Sequence, residues 1–155
     1  MQKILVSACL LGERVRYHGG DAACGHPVLR RWLEEGRLVA VCPERDGGLP
    51  TPRPPAELVG IVVRTAAGVD VTEAFRRGAQ TALDVAKANG IRIAILKDGS
   101  PSCASSFVYD GTFSGTRTAG KGVTATLLEA NGVRVFNEHS IDAANQYVRG
   151  LEETP

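Results

Sequence analysis

Cys9, Cys42 and Cys103 each stand at or just beyond the end of an apolar run: Lys3 to Ala8, Leu38 to Val41, and Ile93 to Leu96 followed by a short turn. Each run reads as a β-strand. In a parallel α/β sheet the carboxyl ends of the strands meet along one edge, and ligands bind in the crevice outside it. Three thiols brought together there would form a soft-metal site with one position left open. The spacings match neither a ferredoxin run nor a zinc ribbon, so the inference rests on topology. Cys24, in Asp21-Ala22-Ala23-Cys24-Gly25, falls outside the strand-end pattern and reads as a non-ligand. A fourth-ligand role for it stays open. Structural zinc usually takes four protein ligands. An iron–sulfur cluster that only carries electrons also takes four thiolates, whereas three leave one iron free to act on a substrate. His18, His26 and His139 lie in predicted loops and read as surface residues.

Glu44 is the acid–base candidate: it sits two residues after a thiol and is pinned by Pro43. A carboxylate there would point into the same crevice, where proton transfer is useful. Ser100 and Ser102 flank Pro101 just before Cys103, and their hydroxyls could bond a ligand or a cluster sulfide. Ser-Pro also favours turns, which is the plainer reading of both. Arg53, between prolines, offers a planar donor fork to a substrate carbonyl or phosphate, or else a rigid anchor. Gly120-Lys121-Gly122 lacks the spacing of a phosphate-binding loop.

The elements that must position these residues alternate between strand and helix. A helix is predicted from Pro27 to Glu35, with Pro at its start and Gly36 past its end. Asp70 and Glu73 suggest a capping box for a second helix, with Phe75, Ala79, Ala82, Leu83 and Ala86 on one face. Further helices are expected from about Gly122 to Ala130 and from Ile141 to Leu151, around a last strand from Val133 to Phe136. Ile61 to Arg64 and Val69 to Val71 read as a hairpin, and Tyr109-Asp110-Gly111 as a tight turn. The Pro- and Gly-rich run from Asp46 to Pro55 fits neither helix nor central strand. The expected fold is one α/β domain over residues 1–155, Rossmann-like and doubly wound. Its sheet should be mostly parallel, with a small hairpin and long loops at the carboxyl edge.

Composition narrows the class. The 155 residues are 43% hydrophobic and 23% charged, with a formal net charge of +1 and scattered Lys and Arg. That gives no electrostatic case for nucleic acid or a membrane surface. Arg30-Arg31 and Arg76-Arg77 read as solvated helix faces, and no run reaches the ~20 apolar residues of a membrane span. A cytoplasmic setting is expected, where spaced cysteines serve metal or catalysis rather than disulfides.

These residues resemble the thiouracil desulfidase family. Ser7-Ala8-Cys9-Leu10-Leu11-Gly12, with Val15-Arg16-Tyr17-His18-Gly19-Gly20, is similar to its opening block. Cys42-Pro43-Glu44, Gly47-Gly48-Leu49-Pro50-Thr51-Pro52-Arg53 and Pro55-Ala56-Glu57 match its second, the most specific part. Asp70-Val71-Thr72, Leu96-Lys97, Ser100-Pro101-Ser102-Cys103, Tyr109-Asp110-Gly111 and Gly122-Val123-Thr124-Ala125 carry the likeness along the chain. Two departures, Ala104 for a usual Gly and Arg45-Asp46 for a more apolar pair, bear on pocket shape and so on the substrate.

The resemblance implies a [4Fe-4S] cluster on Cys9, Cys42 and Cys103, with Glu44 and Ser100 catalytic; Ser102 and Arg53 are expected, from their own chemistry, to touch substrate. The implied reaction is non-redox desulfuration of a 2- or 4-thiouracil-like base to the oxo base. A thiophilic open iron would take the sulfur and water activated by Glu44 would attack the carbon. Two other classes fit the residues: a metal-free sulfurtransferase carrying a persulfide on Cys103, and a non-catalytic cluster- or zinc-binding module. The partners expected are a small thiolated pyrimidine and a sulfide acceptor that the sequence does not identify.

Overall fold

In the computed structural model, which describes residues 1–153, four short parallel strands form the central sheet. They are β1 (Ile4–Ser7), β2 (Leu38–Val41), β5 (Ile93–Ile95) and β8 (Arg134–Phe136), in the order β2-β1-β5-β8. The register pairs Ile4 with Leu38, Val6 with Ile95 and Ala94 with Val135. Two antiparallel hairpins stand apart from it. One joins β3 (Ala56–Val59) to β4 (Val62–Thr65), the other β6 (Phe107–Tyr109) to β7 (Arg117–Ala119).

Alternating side chains on the buried strands feed two cores. On one face Ile4, Val6, Ile93 and Ile95 pack with Leu29 and Trp32 of α1 (Pro27–Glu34) and with Ile141, Ala144 and Val148 of α5 (Ile141–Glu153). On the other, Leu5, Ala94 and Val135 meet Ala82, Leu83 and Ala86 of α3 (Thr72–Ala88) and Ala125 and Leu128 of α4 (Val123–Ala130). Helices therefore cover both faces, and the functional edge lies at the strands' carboxyl ends. Among the described residues no helix is long and apolar enough to cross a membrane.

Several local expectations change. β1 stops at Ser7, and Cys9 lies in a following 3-10 turn, Ala8–Leu11. The predicted capping box does not form: Asp70 Oδ1 accepts from Thr72 N, while Glu73 pairs with Arg76. The strand Val62–Thr65 pairs with Ala56–Val59, leaving only the single bridge Arg64–Asp70 where the predicted hairpin partner runs. Tyr109 ends a strand, and a longer loop replaces the tight turn after it. Arg76 and Arg77 are exposed as expected, and the Arg77 guanidinium also donates to Gly47 O at 3.0 and 3.2 Å.

Candidate active site

Sequence folds each thiol into its own strand-end turn. Cys9 follows β1, and its carbonyl accepts from Gly12 N and Ala22 N. Gly12 has φ +93°, a left-handed conformation that glycine adopts without penalty. Cys42 separates β2 from a one-turn helix, α2 (Pro43–Asp46), with Pro in the first helical position. Its amide donates to Asp46 Oδ2 at 3.2 Å. Cys103 follows β5 in a turn organised by Ser100, whose Oγ accepts from Ser102 N and Cys103 N, both at 3.1 Å.

Two helices press these turns into place. The amides at the start of α4 donate to the turn's carbonyls, Val123 N to Pro101 O at 2.9 Å and Thr124 N to Ser102 O at 2.8 Å. The turn thereby satisfies amides that a helix start leaves unpaired. Only glycine fits at the junction, since a Cβ on Gly122 would lie 2.3 Å from Ser102 O. α2 crosses α3 equally closely: a Cβ on Gly78 would be 1.8 Å from Pro43 O.

The three thiols converge on one cavity of about 470 Å³, whose lining also includes Ser7, Glu44, Arg53, Lys97 and Ser100. All three are buried and free of disulfides. Burial, then the neighbouring Cys42, pushes the Cys9 thiol up to about 11. Burial, then Glu44, pushes Cys103 up to about 12, while Cys9 also raises it. Burial likewise raises Cys42. Among the described residues no three His, Cys, Asp or Glu side chains close on a point that would hold a single ion. Thiolates are the ligands that hold iron–sulfur clusters, and one cavity brings all three of these thiols to its lining.

Glu44 enters the cavity between two partners. Its Oε2 accepts from Arg53 Nε at 2.9 Å and from Arg53 Nη2, and its Oε1 accepts from Ser100 Oγ at 3.3 Å. The structure thus brings Glu44 and Ser100 together. Ser102 is fully buried and outside the cavity lining; its Oγ lies 2.7 Å from Thr124 Oγ1 and also hydrogen-bonds the Cys103 thiol, so it supports the thiol from behind. Arg53 lines the cavity, and of its two expected roles its five hydrogen bonds to Glu44, Pro50, Thr51 and Val15 fit the rigid anchor. Cys24 lies outside the cavity lining, as expected of a non-ligand. His26 caps α1, and of the three histidines His139 alone reaches the cavity lining.

Sequence reasoning passed over two residues that follow β5. Lys97 lines the cavity with its Nζ held by Asp98 O and Glu138 Oε2, each at 2.8 Å. Buried Asp98 gathers the amides of Gly99, Ser105 and Ser106, and Asn137 Nδ2, around its carboxylate. The available signal was position: polar residues directly after a buried parallel strand occupy the same edge as the cysteines. Glu57 is a further structural link, its Oε1 accepting from Gly111 N and Phe113 N and so tying the two hairpins together.

Comparison with known proteins follows the same lines. The 2-thiouracil desulfurase family model matches residues 4–140. A Bacillus subtilis (strain 168) protein, named only "uncharacterized protein YbbK", is 44% identical over 149 residues, which is 90% of this chain and 97% of the relative. The solved structure of the [4Fe-4S]-dependent thiouracil desulfidase TudS is 48% identical, with a TM-score of 0.95 covering 96% of this chain and 99% of that one.

Proposed function

The chain belongs to the 2-thiouracil desulfurase family, and on that premise we propose that it converts a thiolated pyrimidine of the 2- or 4-thiouracil type to the oxo base. The reading takes residues 1–155 as one Rossmann-like desulfidase domain acting in the cytoplasm. The chain changes sides of β1 between β2 and β5, which makes the β1–β5 edge a switch point of the kind that binds ligands in such folds. Cys9, Cys42 and Cys103 would hold a [4Fe-4S] cluster there, and the protein is an enzyme of the cluster-dependent class. The observation that carries the reading is the meeting of three buried free thiols with a Glu–Ser pair in one cavity.

When bound, the cluster supplies an iron without a protein ligand, a thiophilic Lewis acid for a thiocarbonyl sulfur. The protein supplies the proton chemistry. Glu44 Oε1 takes a proton from the attacking water and returns it as the carbon–sulfur bond breaks. Ser100, fixed by the amides of Ser102 and Cys103, donates to that same oxygen and sets the direction from which water approaches. Apolar lining from Val41, Leu49 and Phe75 limits competing solvent around the carboxylate. Atoms balance as water in and hydrogen sulfide out, C=S becoming C=O with no net electron transfer.

Protein purified without oxygen should be coloured, carry iron and acid-labile sulfide in the stoichiometry of the cluster, and release uracil and sulfide from thiouracil. Replacing Cys9, Cys42 or Cys103 by Ala should abolish the cluster, while Cys24→Ala should keep it. A colourless preparation with full activity would establish the metal-free persulfide carrier instead. An intact cluster with no turnover of any thiolated base would leave a binding module.

A further inference from the structure

The cavity holds one cation whose hydrogens are all spoken for. A guanidinium carries five N–H donors in a rigid fork. In Arg53 they are matched one for one. Nε and one Nη2 hydrogen go to Glu44 Oε2, the other Nη2 hydrogen to Val15 O at 3.0 Å, and the two on Nη1 to Pro50 O at 3.2 Å and Thr51 Oγ1 at 3.1 Å. The side chain is only 6% exposed. Its backbone amide donates to Tyr17 O at 2.7 Å, so the residue also joins the loop after Cys9 to the loop after α2. Val15 O, one of its acceptors, lies 4.0 Å from Cys42 Sγ.

We propose that Arg53 is the positioning residue of the reaction: it locks Glu44 Oε2 and thereby leaves Oε1 as the single oxygen that exchanges a proton with substrate water. A free carboxylate rotates and presents either oxygen. Here a two-pronged bond on one oxygen fixes the plane of the carboxylate, and Oε1 is left facing Ser100. Because Val15 O lies beside both Arg53 and the Cys42 thiol, the fork also ties the carboxylate to that turn. Arg53 therefore acts through Glu44 and makes no contact with the pyrimidine. The proposal rests on Glu44 being the base.

The test crosses Arg53→Gln and Arg53→Lys with Glu44→Gln in the cluster-loaded enzyme. Arg53→Gln should lower kcat about 10–100-fold, the scale of a misplaced reactive group. KM, uracil affinity by calorimetry, and iron content should stay near wild type. Arg53→Lys should not restore the rate, since an ammonium lacks the fork. In the Glu44→Gln background either change at Arg53 should add less than about 2-fold, because a side chain without basicity gains nothing from orientation. Effects that multiply across the two sites would overturn the proposal while leaving Glu44 as the base. Raised KM with weakened uracil binding would make Arg53 a substrate contact and overturn it too. Loss of the cluster in both Arg53 variants would reduce the residue to a strut of the loop. Wild-type turnover by Glu44→Gln would instead sink the parent reading, and this one with it.

Discussion

Glu44 and Ser100 share one hydrogen bond, but their losses should differ because their other bonds differ. Glu44→Gln keeps the shape of the side chain and removes its basicity, so the cluster and substrate binding should survive while kcat falls roughly 10²–10⁴-fold. Steady-state kinetics beside iron analysis separates those outcomes. Ser100 Oγ also accepts the amides of Ser102 and Cys103, and a buried donor left unpaired costs about 1–3 kcal/mol. Ser100→Ala should therefore slow the reaction less than Glu44→Gln, yet loosen the Cys103 turn and lower cluster retention. Ser102→Ala removes a bond to Thr124 and one to the Cys103 thiol, so it should cost about 1 kcal/mol of stability or somewhat more while kcat per cluster stays near wild type. A denaturation midpoint that moves while kcat holds would confirm it. At this scale the strand-end cysteines and Glu44 were legible because position after a strand dictates the edge they occupy. The direction of Ser102 and the saturation of Arg53 were not. Adjacent residues of a turn face opposite ways for reasons set by tertiary partners, here Thr124 and the acceptors around Arg53.

Between elements, glycine sets how closely the helices can hold the thiol turns. Gly47 and Gly78 face each other across α2 and α3, and a Cβ on Gly47 would sit 2.0 Å from Ala74 O. Backbone cannot yield as a flexible side chain can, so Gly78→Ala must push α2 away and carry Cys42 and Glu44 with it. We expect a loss of about 1–3 kcal/mol, the usual cost of overpacking, and a disproportionate fall in iron content and turnover. Gly150→Ala is the contrast: among the described residues an added Cβ in α5 meets nothing within 4 Å, and the better helix former should leave stability equal or higher by up to about 1 kcal/mol. Equal thermal midpoints and iron content for Gly78→Ala and wild type would refute this packing argument. Helix α3 was readable by its repeated apolar face and α1 by Pro27 at its start and Gly36 past its end. α2 was not, since four residues hold no period. β3 hides behind Pro54-Pro55, and β7 is exposed throughout and carries no apolar alternation.

Across the whole molecule, both faces of the sheet are filled by apolar cores that do not depend on the three thiols being ligated. The cluster-free protein should therefore remain folded by circular dichroism, unlike a zinc finger, and its stability should then report the thiols directly. Burial raises Cys9 to about 11 and Cys103 to about 12 from an ordinary 9.0. Between those values the unfolded chain has shed protons that the folded chain still holds. Unfolding then releases protons, so the slope of stability against pH is negative. The contribution is complete below pH 9 and is lost as pH rises through the folded values. Urea titrations of the cluster-free protein from pH 8 to 10.5 should show stability falling toward the alkaline end. Cys9→Ala and Cys103→Ala should flatten that fall, which assigns it to the thiols. The loaded protein should respond in the opposite sense, because ligation needs thiolates and acid returns their protons. Cluster loss, followed by its visible absorbance, should accelerate as pH drops. A cluster-free protein with the same alkaline slope before and after both substitutions would show that these thiols are not held in the protonated, buried state on which the linkage depends.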